Sequence, residues 1–143
     1  MKVERLLKKK GSLVYSIEPQ DMVYTALEKM AQENVGALLV MQGDTVEGII
    51  SERDYARKVI LKGKYSMEVL VRDVMTSPVC YVTRERTMHE CMALMTEKRF
   101  RHLPVIEDNQ LLGMISIGDV VKTIIDEQDH EIINYENYIH GWY

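Results

Sequence analysis

Apolar residues recur with the period of a helix in two segments of the chain. The helical positions are Val23, Ala26, Leu27 and Met30 in the first segment and Met88, Cys91, Met92 and Met95 in the second. Each set follows the spacing i, i+3, i+4, i+7, which places its members on one face of an amphipathic helix. We expect Asp21 to cap the first helix, and Thr87 with Glu90 to form a capping box at the start of the second.

Short apolar runs separated by turns lie around each predicted helix. Two runs follow each helix, GALLVM and VEGIIS in the first half and HLPVIE and LLGMIS in the second. Their length and their flanking turn residues indicate strands. A short extended run precedes each helix, LVYSI and PVCYV, and a further helix closes each half, ERDYARKVIL and GDVVKTIIDE. The predicted fold class is therefore α/β (α+β), with the order strand–helix–strand–strand–helix written twice.

The two halves are an internal repeat at an offset of 65 residues. Residues 14–60 align with residues 79–125 without a gap, and the phrase GIISERD of the first copy returns as GMISIGD in the second. Neither copy has enough apolar faces to close a core alone, so we expect the two βαββα copies to pack face to face. The expected divisions of the chain are a lead-in helix (1–13), copy one (14–70), copy two (71–128) and an aromatic tail (129–143).

The join and the two ends of the chain carry patterns of their own. VRDVM in the join predicts a short helix over 71–75 that ends ahead of Pro78. The lysine-rich start is amphipathic, and its run at 8–10 favours a solvated helix end over a phosphate clamp. The tail is too apolar to be solvated, and we expect it to pack on a neighbouring subunit or to cover a cleft.

Composition narrows the classes of function. The 143-residue chain has a net charge of −4, which argues against general nucleic-acid binding. No apolar run approaches the roughly 18 residues that a membrane helix needs. Cys80 and Cys91 form no C-x-x-C pair and predict free thiols in a reducing cytoplasm. The histidines lack metal-ligand spacing, so we expect no metal site.

The repeated Ser-x-x-Asp phrase has two interpretations. As a capping element, the serine caps the helix that follows and the aspartate lies near the positive end of that helix. As a ligand site, Ser51 and Ser116 would bond phosphate, while Asp54 and Asp119 would each accept two hydrogen bonds from a ribose diol. Recurrence at equivalent positions, where a strand is followed by a helix, favours the ligand site.

These motifs resemble a known family. DVMT, RHLPV and G-x-I-S-x-x-D of the second copy, with NVGALLV and GIISERDYARKVIL of the first, resemble a tandem pair of cystathionine β-synthase (CBS) domains, the Bateman module. The resemblance covers nearly the whole chain. The chain is also similar to stand-alone CBS pairs, so we expect no appended catalytic, channel or DNA-binding domain. It implies two copies packed about a pseudo-twofold axis, with two clefts between their sheets.

The resemblance also implies the site residues. Adenosine nucleotides occupy the clefts of such modules, with the aspartate on the ribose and the serine near phosphate. One expected cleft contains Asp119, Ser116, Arg101, His102, Ser16 and Ile17. The other contains Asp54, Ser51, Gly36, Ala37, Tyr81 and Val82, with Arg53 inside its signature. Because Gly36 and Ala37 carry no charge, we expect the stronger site to be the one with Arg101.

The expected function is that of a cytoplasmic energy or redox sensor without catalytic residues. Its ligand would be AMP, ADP, ATP, NAD(H) or S-adenosylmethionine, and its partners a second copy of the chain and a regulated protein. Two alternatives stay open, namely an assembly module with empty clefts and an enzyme. The sequence contains no P-loop and no nucleophile–base–orienter set, which argues against the enzyme.

Overall fold

Each repeat folds into a small sheet flanked by helices. A computed structural model of the chain describes the backbone of residues 1–140 and the side chains of residues 1–129. The helices are α1 (Val3–Lys10), α2 (Val23–Glu33), α3 (Glu52–Lys58), α4 (Val71–Val74), α5 (Met88–Lys98) and α6 (Ile117–His140), with a 3₁₀ turn at Ile60–Lys62. The strands are β1 (Ser16–Ile17), β2 (Ala37–Gln42), β3 (Thr45–Ser51), β4 (His102–Glu107) and β5 (Gln110–Ser116).

The two sheets have matching registers. Strand β2 pairs antiparallel with β3 and parallel with β1, whereas β4 pairs antiparallel with β5. The opening strand of the second repeat is reduced to one parallel bridge between Val82 and Val105. The predicted α/β (α+β) class and the order of the elements are confirmed, although both opening strands are shorter than the predicted runs LVYSI and PVCYV.

Each core is completed by a helix that comes from outside its own repeat in sequence. Helix α4, at the head of the second repeat, buries Val71 and Val74 in the core of the first repeat. Helix α1, at the head of the first repeat, buries Val3 and Leu6 in the core of the second. Burial of one such side chain contributes about 1.5–3 kcal/mol. The expectation that neither copy closes a core alone is therefore met by this exchange of helices.

The two long helices that follow the opening strands begin in different ways. The predicted capping box of Thr87 and Glu90 is present at the start of α5. The predicted Asp21 cap of α2 is wrong, because the Asp21 carboxylate accepts a hydrogen bond from the Glu18 backbone N–H within the preceding turn. The join satisfies the start of α2 instead, since the Val23 N–H donates to the carbonyl of Val69 at 2.9 Å.

Helix α6 continues through most of the predicted tail. Its backbone is helical as far as His140, so this helix extends beyond the predicted segment GDVVKTIIDE. The expected packing of the tail's apolar side chains lies outside the described residues. Among the helices that the structure describes, none combines the length and the apolar character needed to cross a membrane.

Candidate functional site

Both Ser-x-x-Asp phrases form a capping box where a strand is followed by a helix. The Ser51 hydroxyl accepts a hydrogen bond from the Asp54 N–H at 3.2 Å, and the Asp54 carboxylate accepts one from the Ser51 N–H at 2.9 Å. The equivalent distances for Ser116 and Asp119 are 3.2 and 2.8 Å. The capping interpretation is therefore correct at both positions. It leaves open what the remaining acceptor positions of each carboxylate bind.

The Asp54 carboxylate also receives donors from outside its capping box. Its Oδ1 accepts a hydrogen bond from the Thr76 hydroxyl at 3.2 Å and lies 3.0 Å from Lys58 Nζ. Thr76 is held there by two backbone hydrogen bonds with Ile49, of 2.8 and 3.1 Å. The join between the repeats thus lies directly beside Asp54, and a ribose diol would take the place of two existing donors on Oδ1.

The Asp119 carboxylate has a different neighbour. Lys10 Nζ, at the end of α1, lies 2.6 Å from Asp119 Oδ2 and donates a second hydrogen bond to the Met114 carbonyl at 2.7 Å. Burial raises the pKa of Asp119, but the hydrogen bonds from Lys10 and from the Ser116 N–H outweigh it and hold the pKa below its usual value. The expectation of a solvated helix end is therefore wrong for Lys10.

A pocket of about 510 Å³ lies beside Asp54. Its volume falls within the range of small-molecule sites. Six basic side chains line it, namely Arg53, Arg57, Lys58, Lys98, Arg99 and Arg101. Glu52 and Asp54 are its acidic lining residues, and Ile49, Cys80 and Phe100 supply an apolar portion. A strongly basic pocket in a chain of net charge −4 is suited to an anion.

The structure places Arg101 and His102 in the lining of the pocket beside Asp54, whereas the resemblance implied a cleft with Asp119. The segments that precede β2 and β4 meet at the centre of the molecule, because a Cβ on Gly36 would lie 3.8 Å from Cε1 of His102. Residues at the end of α5 therefore reach the Asp54 side. Gly36 lines the same pocket, so the predicted contrast between Arg101 and Gly36 does not separate two clefts.

Several predicted residues lie away from the pocket lining. Ile17 and Val82 are buried in the cores of the first and second repeats, and Ala37 is buried in β2. Tyr81 is 54% exposed, whereas its neighbour Cys80 lines the pocket. Neither Ser16, Ser116 nor Asp119 is among the residues that line it. Ile17 and Val82 of the opening segments thus pack into the cores, whereas Cys80, just before the second opening segment, reaches the pocket.

Sequence reasoning missed part of the lining. The lining residues outside the predicted set are Arg57, Lys58, Thr76, Cys80, Lys98, Arg99 and Phe100. The stretch KRFR at 98–101 was the available signal, since three of its four residues are basic and stand directly before a buried strand. The pairing of Lys58 with Asp54 was readable from their i,i+4 spacing, whereas its contact with the Val74 carbonyl was not.

The histidine of the pocket has a pKa below its usual value. Burial lowers the pKa of His102, the charges of Lys10 and Arg101 act in the same direction, and the charge of Asp119 opposes them. Burial raises the pKa of the Cys91 thiol to about 11, so this cysteine is a core residue. Within the described part of the chain, no group of three or more His, Cys, Asp or Glu side chains is arranged to hold a metal ion.

Comparisons with known proteins agree with the repeat. The profile of the CBS domain matches residues 13–61 and 71–126. Over 128 residues the chain is 44% identical to the mitochondrial CBS domain-containing protein CBSX3 of Arabidopsis thaliana. The aligned region covers 86% of this chain and 62% of that protein. The chain thus spans less than two thirds of the length of this relative.

Solved structures share the fold. A CBS-domain protein from Burkholderia ambifaria is 46% identical with a TM-score of 0.86, over 90% of this chain and 96% of that one. A hexameric CBS-CP12 protein from bloom-forming cyanobacteria is 26% identical with a TM-score of 0.74, over 85% of this chain and 69% of that one. The chain belongs to the CBS domain family and contains two copies of the domain in tandem.

Proposed function

We propose that the chain binds an adenosine-containing nucleotide in the pocket beside Asp54 and acts as a regulatory module. The observation that carries this proposal is the combination of one buried carboxylate with six basic side chains in a pocket of about 510 Å³. A carboxylate suits the hydroxyl donors of a ribose, and basic side chains suit phosphate. A nucleotide presents both groups at once.

The ribose diol would bind Oδ1 of Asp54. It would replace the Thr76 hydroxyl and the Lys58 ammonium, which now occupy that oxygen at 3.2 and 3.0 Å. To turn towards phosphate in the pocket, the Lys58 ammonium would also leave the Val74 carbonyl, to which it donates at 2.9 Å. Arg101 supplies further positive charge. The ligand would be AMP, ADP, ATP or NAD(H), with the abundance of basic groups favouring more than one phosphate.

A regulatory role follows from the position of Thr76. Replacing its hydroxyl on Asp54 alters a contact between the join and the first repeat, so ligand binding would favour one packing of the two repeats over another. A regulated partner protein would bind one of the two packings more tightly than the other. No nucleic-acid, membrane or catalytic role is proposed, and the free thiols of Cys80 and Cys91 fit a reducing compartment such as the cytoplasm.

Self-association is part of the proposal. Leu61 and Ile125 are 77% and 49% exposed, and apolar side chains of this size favour contact with a second copy. The hexameric assembly of the CBS-CP12 protein is a property of that relative, and it supports only the idea that such modules assemble. A homodimer is the state that we propose for this chain.

One observation favours the second candidate, an assembly module that binds no ligand. The Asp54 carboxylate already has protein donors on both oxygens and is 8% exposed. Calorimetric titration of the full chain with ADP distinguishes the two functions. Saturable binding that Asp54→Asn removes supports the nucleotide module, and no heat and no thermal stabilisation at millimolar ADP supports the assembly module. At a hundredfold excess over Kd a ligand adds about 2.7 kcal/mol of stability.

A further inference from the structure

Helix α1 occupies the same place against the second repeat that α4 occupies against the first. The Val3 N–H donates to the Arg86 carbonyl at 2.8 Å, and the Val71 N–H donates to the Asp21 carbonyl at 2.8 Å. Arg86 and Asp21 are equivalent positions of the repeat. The two helices are therefore structural counterparts, and the residues that follow each of them lead to the same edge of the neighbouring sheet.

Helices α4 and α1 differ in how the residues near their ends contact the aspartate of the neighbouring repeat. After α4 the Thr76 N–H donates to the Ile49 carbonyl at 2.8 Å, and the Thr76 hydroxyl donates to Asp54 at 3.2 Å. A backbone group and a short side chain make these two contacts. Thr76 thus lies in the segment of the join that pairs with β3.

At the end of α1, a single lysine ammonium contacts both the neighbouring strand and the aspartate. Lys10 Nζ donates to the Met114 carbonyl at 2.7 Å and to Asp119 at 2.6 Å. Met114 is the equivalent of Ile49 in the repeat. The backbone of α1 therefore does not need to pair with β5, since the long Lys10 side chain spans the distance.

The base of the Lys10 side chain is held in place by the packing of its helix. Val3 is fully buried, Leu6 is 7% exposed, and a Cβ on Gly113 would come 2.7 Å from Cδ2 of Leu7. Lys10 is thus delivered to Asp119 by a docked element. Lys58 differs in its origin, because it lies one turn after Asp54 on the same helix; the exposure of the two lysine side chains is similar, 43% for Lys58 and 35% for Lys10.

We propose that Lys10 keeps the Asp119 carboxylate from accepting a ribose diol, so that nucleotide binds only beside Asp54 while the ammonium is in place. This inference rests on the proposed function. Oδ2 of Asp119 already accepts from the Lys10 ammonium at 2.6 Å and from the Ser116 N–H at 2.8 Å, so a diol that places one hydroxyl on each carboxylate oxygen must displace the ammonium. Because coupling between two contacts is reciprocal, a ligand at Asp119 would release the end of α1 by the same factor.

Adenosine is the probe for the experiment, since it presents the diol without a phosphate that Lys10 would attract. Backbone amide NMR of the full chain follows residues 51–54 and residues 116–119 separately during a titration. The proteins compared are the wild type, Lys10→Ala and, as the matched control, Lys9→Ala, whose lysine is exposed in the same turn. A parallel titration with 2′,3′-dideoxyadenosine isolates the diol.

The expected result is movement of amides 51–54 alone in the wild type and in Lys9→Ala, and movement of both sets in Lys10→Ala. The Kd at the Asp119 side should fall roughly fivefold or more when Lys10 is removed. The dideoxy probe should show no such gain. Equal movement of both sets in the wild type overturns the proposal, and so does a Lys10→Ala protein in which amides 116–119 stay still.

A measurement without ligand separates this proposal from the proposed function. The carboxyl pKa of Asp119, followed by carbon NMR, should rise in Lys10→Ala and stay unchanged in Lys9→Ala. An unchanged Asp119 pKa in Lys10→Ala overturns the Lys10 contact whatever adenosine does. Unshifted amide signals in every variant, together with a raised Asp119 pKa in Lys10→Ala, would contradict the proposed nucleotide binding. The exclusion of a ligand by Lys10 would then be rejected as well, whereas the ion pair between Lys10 and Asp119 would be confirmed.

Discussion

The hydroxyl of Thr76 donates a hydrogen bond to Oδ1 of Asp54, 22 residues earlier in the chain, at 3.2 Å. This contact connects the join between the two repeats with the carboxylate of the pocket. A ligand that takes Oδ1 must break it, and the join then loses one of its attachments to β3. The pocket and the packing of the repeats are therefore physically linked.

Replacement of Asp54 should remove nucleotide binding. Asn keeps the size of the side chain but loses the charge, and hydrogen bonds to a charged acceptor contribute about 1.5–3 kcal/mol each. We expect Asp54→Asn to weaken ADP binding at least about tenfold in calorimetry. Asp119→Asn is the matched control from the other repeat and should leave ADP affinity unchanged. Equal losses in the two variants would contradict the assignment of the site.

Replacement of Arg101 should weaken the binding of phosphate but not of the nucleoside. A charge-assisted hydrogen bond is roughly twice as strong as a neutral one, so Arg101→Ala should lower ADP affinity about tenfold and leave adenosine affinity within twofold. Arg53→Ala should cost less, because the Arg53 guanidinium is bonded to the Arg99 carbonyl at 2.9 Å. Exposed Arg72 on α4 provides the control. An Arg101→Ala protein with unchanged ADP affinity would mean that the phosphate lies elsewhere.

Acidification should destabilise the fold through His102. Its folded pKa lies below the ordinary value of 6.5, chiefly because it is buried. As the pH falls through 6.5 the unfolded chain binds a proton that the folded chain does not, so stability is lost between 6.5 and the folded pKa. Urea midpoints measured from pH 7.5 to 5.5 should fall less in His102→Gln than in the wild type. His89→Gln, at an exposed histidine, should match the wild type; a midpoint slope that all three proteins share would contradict the role of His102.

The two signature glycines should differ in their tolerance of alanine. A Cβ on Gly48 would come 2.7 Å from Met75 Sδ and 2.9 Å from the Thr76 carbonyl oxygen, which is backbone. A Cβ on Gly113 would meet a methyl group of Leu7, which can rotate. We expect Gly48→Ala to cost about 1–3 kcal/mol and Gly113→Ala about 1 kcal/mol less, in urea unfolding. A larger loss at Gly113 would show that α1 is the more rigid neighbour.

Self-association should depend on the exposed apolar side chains of the helices. Light scattering at tens of micromolar should give the mass of a dimer for the wild type. Glutamate at Leu61 and Ile125 should shift the mass towards that of a monomer, because charged groups are costly to bury in an interface. Leu13→Glu, at a loop position that is 73% exposed, is the control. A wild-type monomer would rule out the proposed homodimer.

Much of the fold follows from local patterns. The helical spacing around Met30 and Met95 predicts α2 and α5, and the paired apolar runs predict the hairpins, because the period of a buried face is a property of the chain itself. The capping box at Thr87 is equally local. The Asp21 cap failed because the backbone of the join, distant in sequence, supplies acceptors to α2. Local chemistry cannot show which of two available acceptors a helix end will use.

The sequence by itself determined the repeat, the family and the capping of α3 by Ser51 and Asp54. Only the tertiary structure decided which residues share a pocket, because that depends on the packing of one repeat against the other. It brought Arg101 to the pocket beside Asp54, whereas the family resemblance implied a cleft with Asp119. It also brought Lys10 to Asp119, across 109 residues of sequence. Side-chain periodicity specifies a face of an element, whereas the partner of that face is fixed by burial and charge once the whole chain has folded.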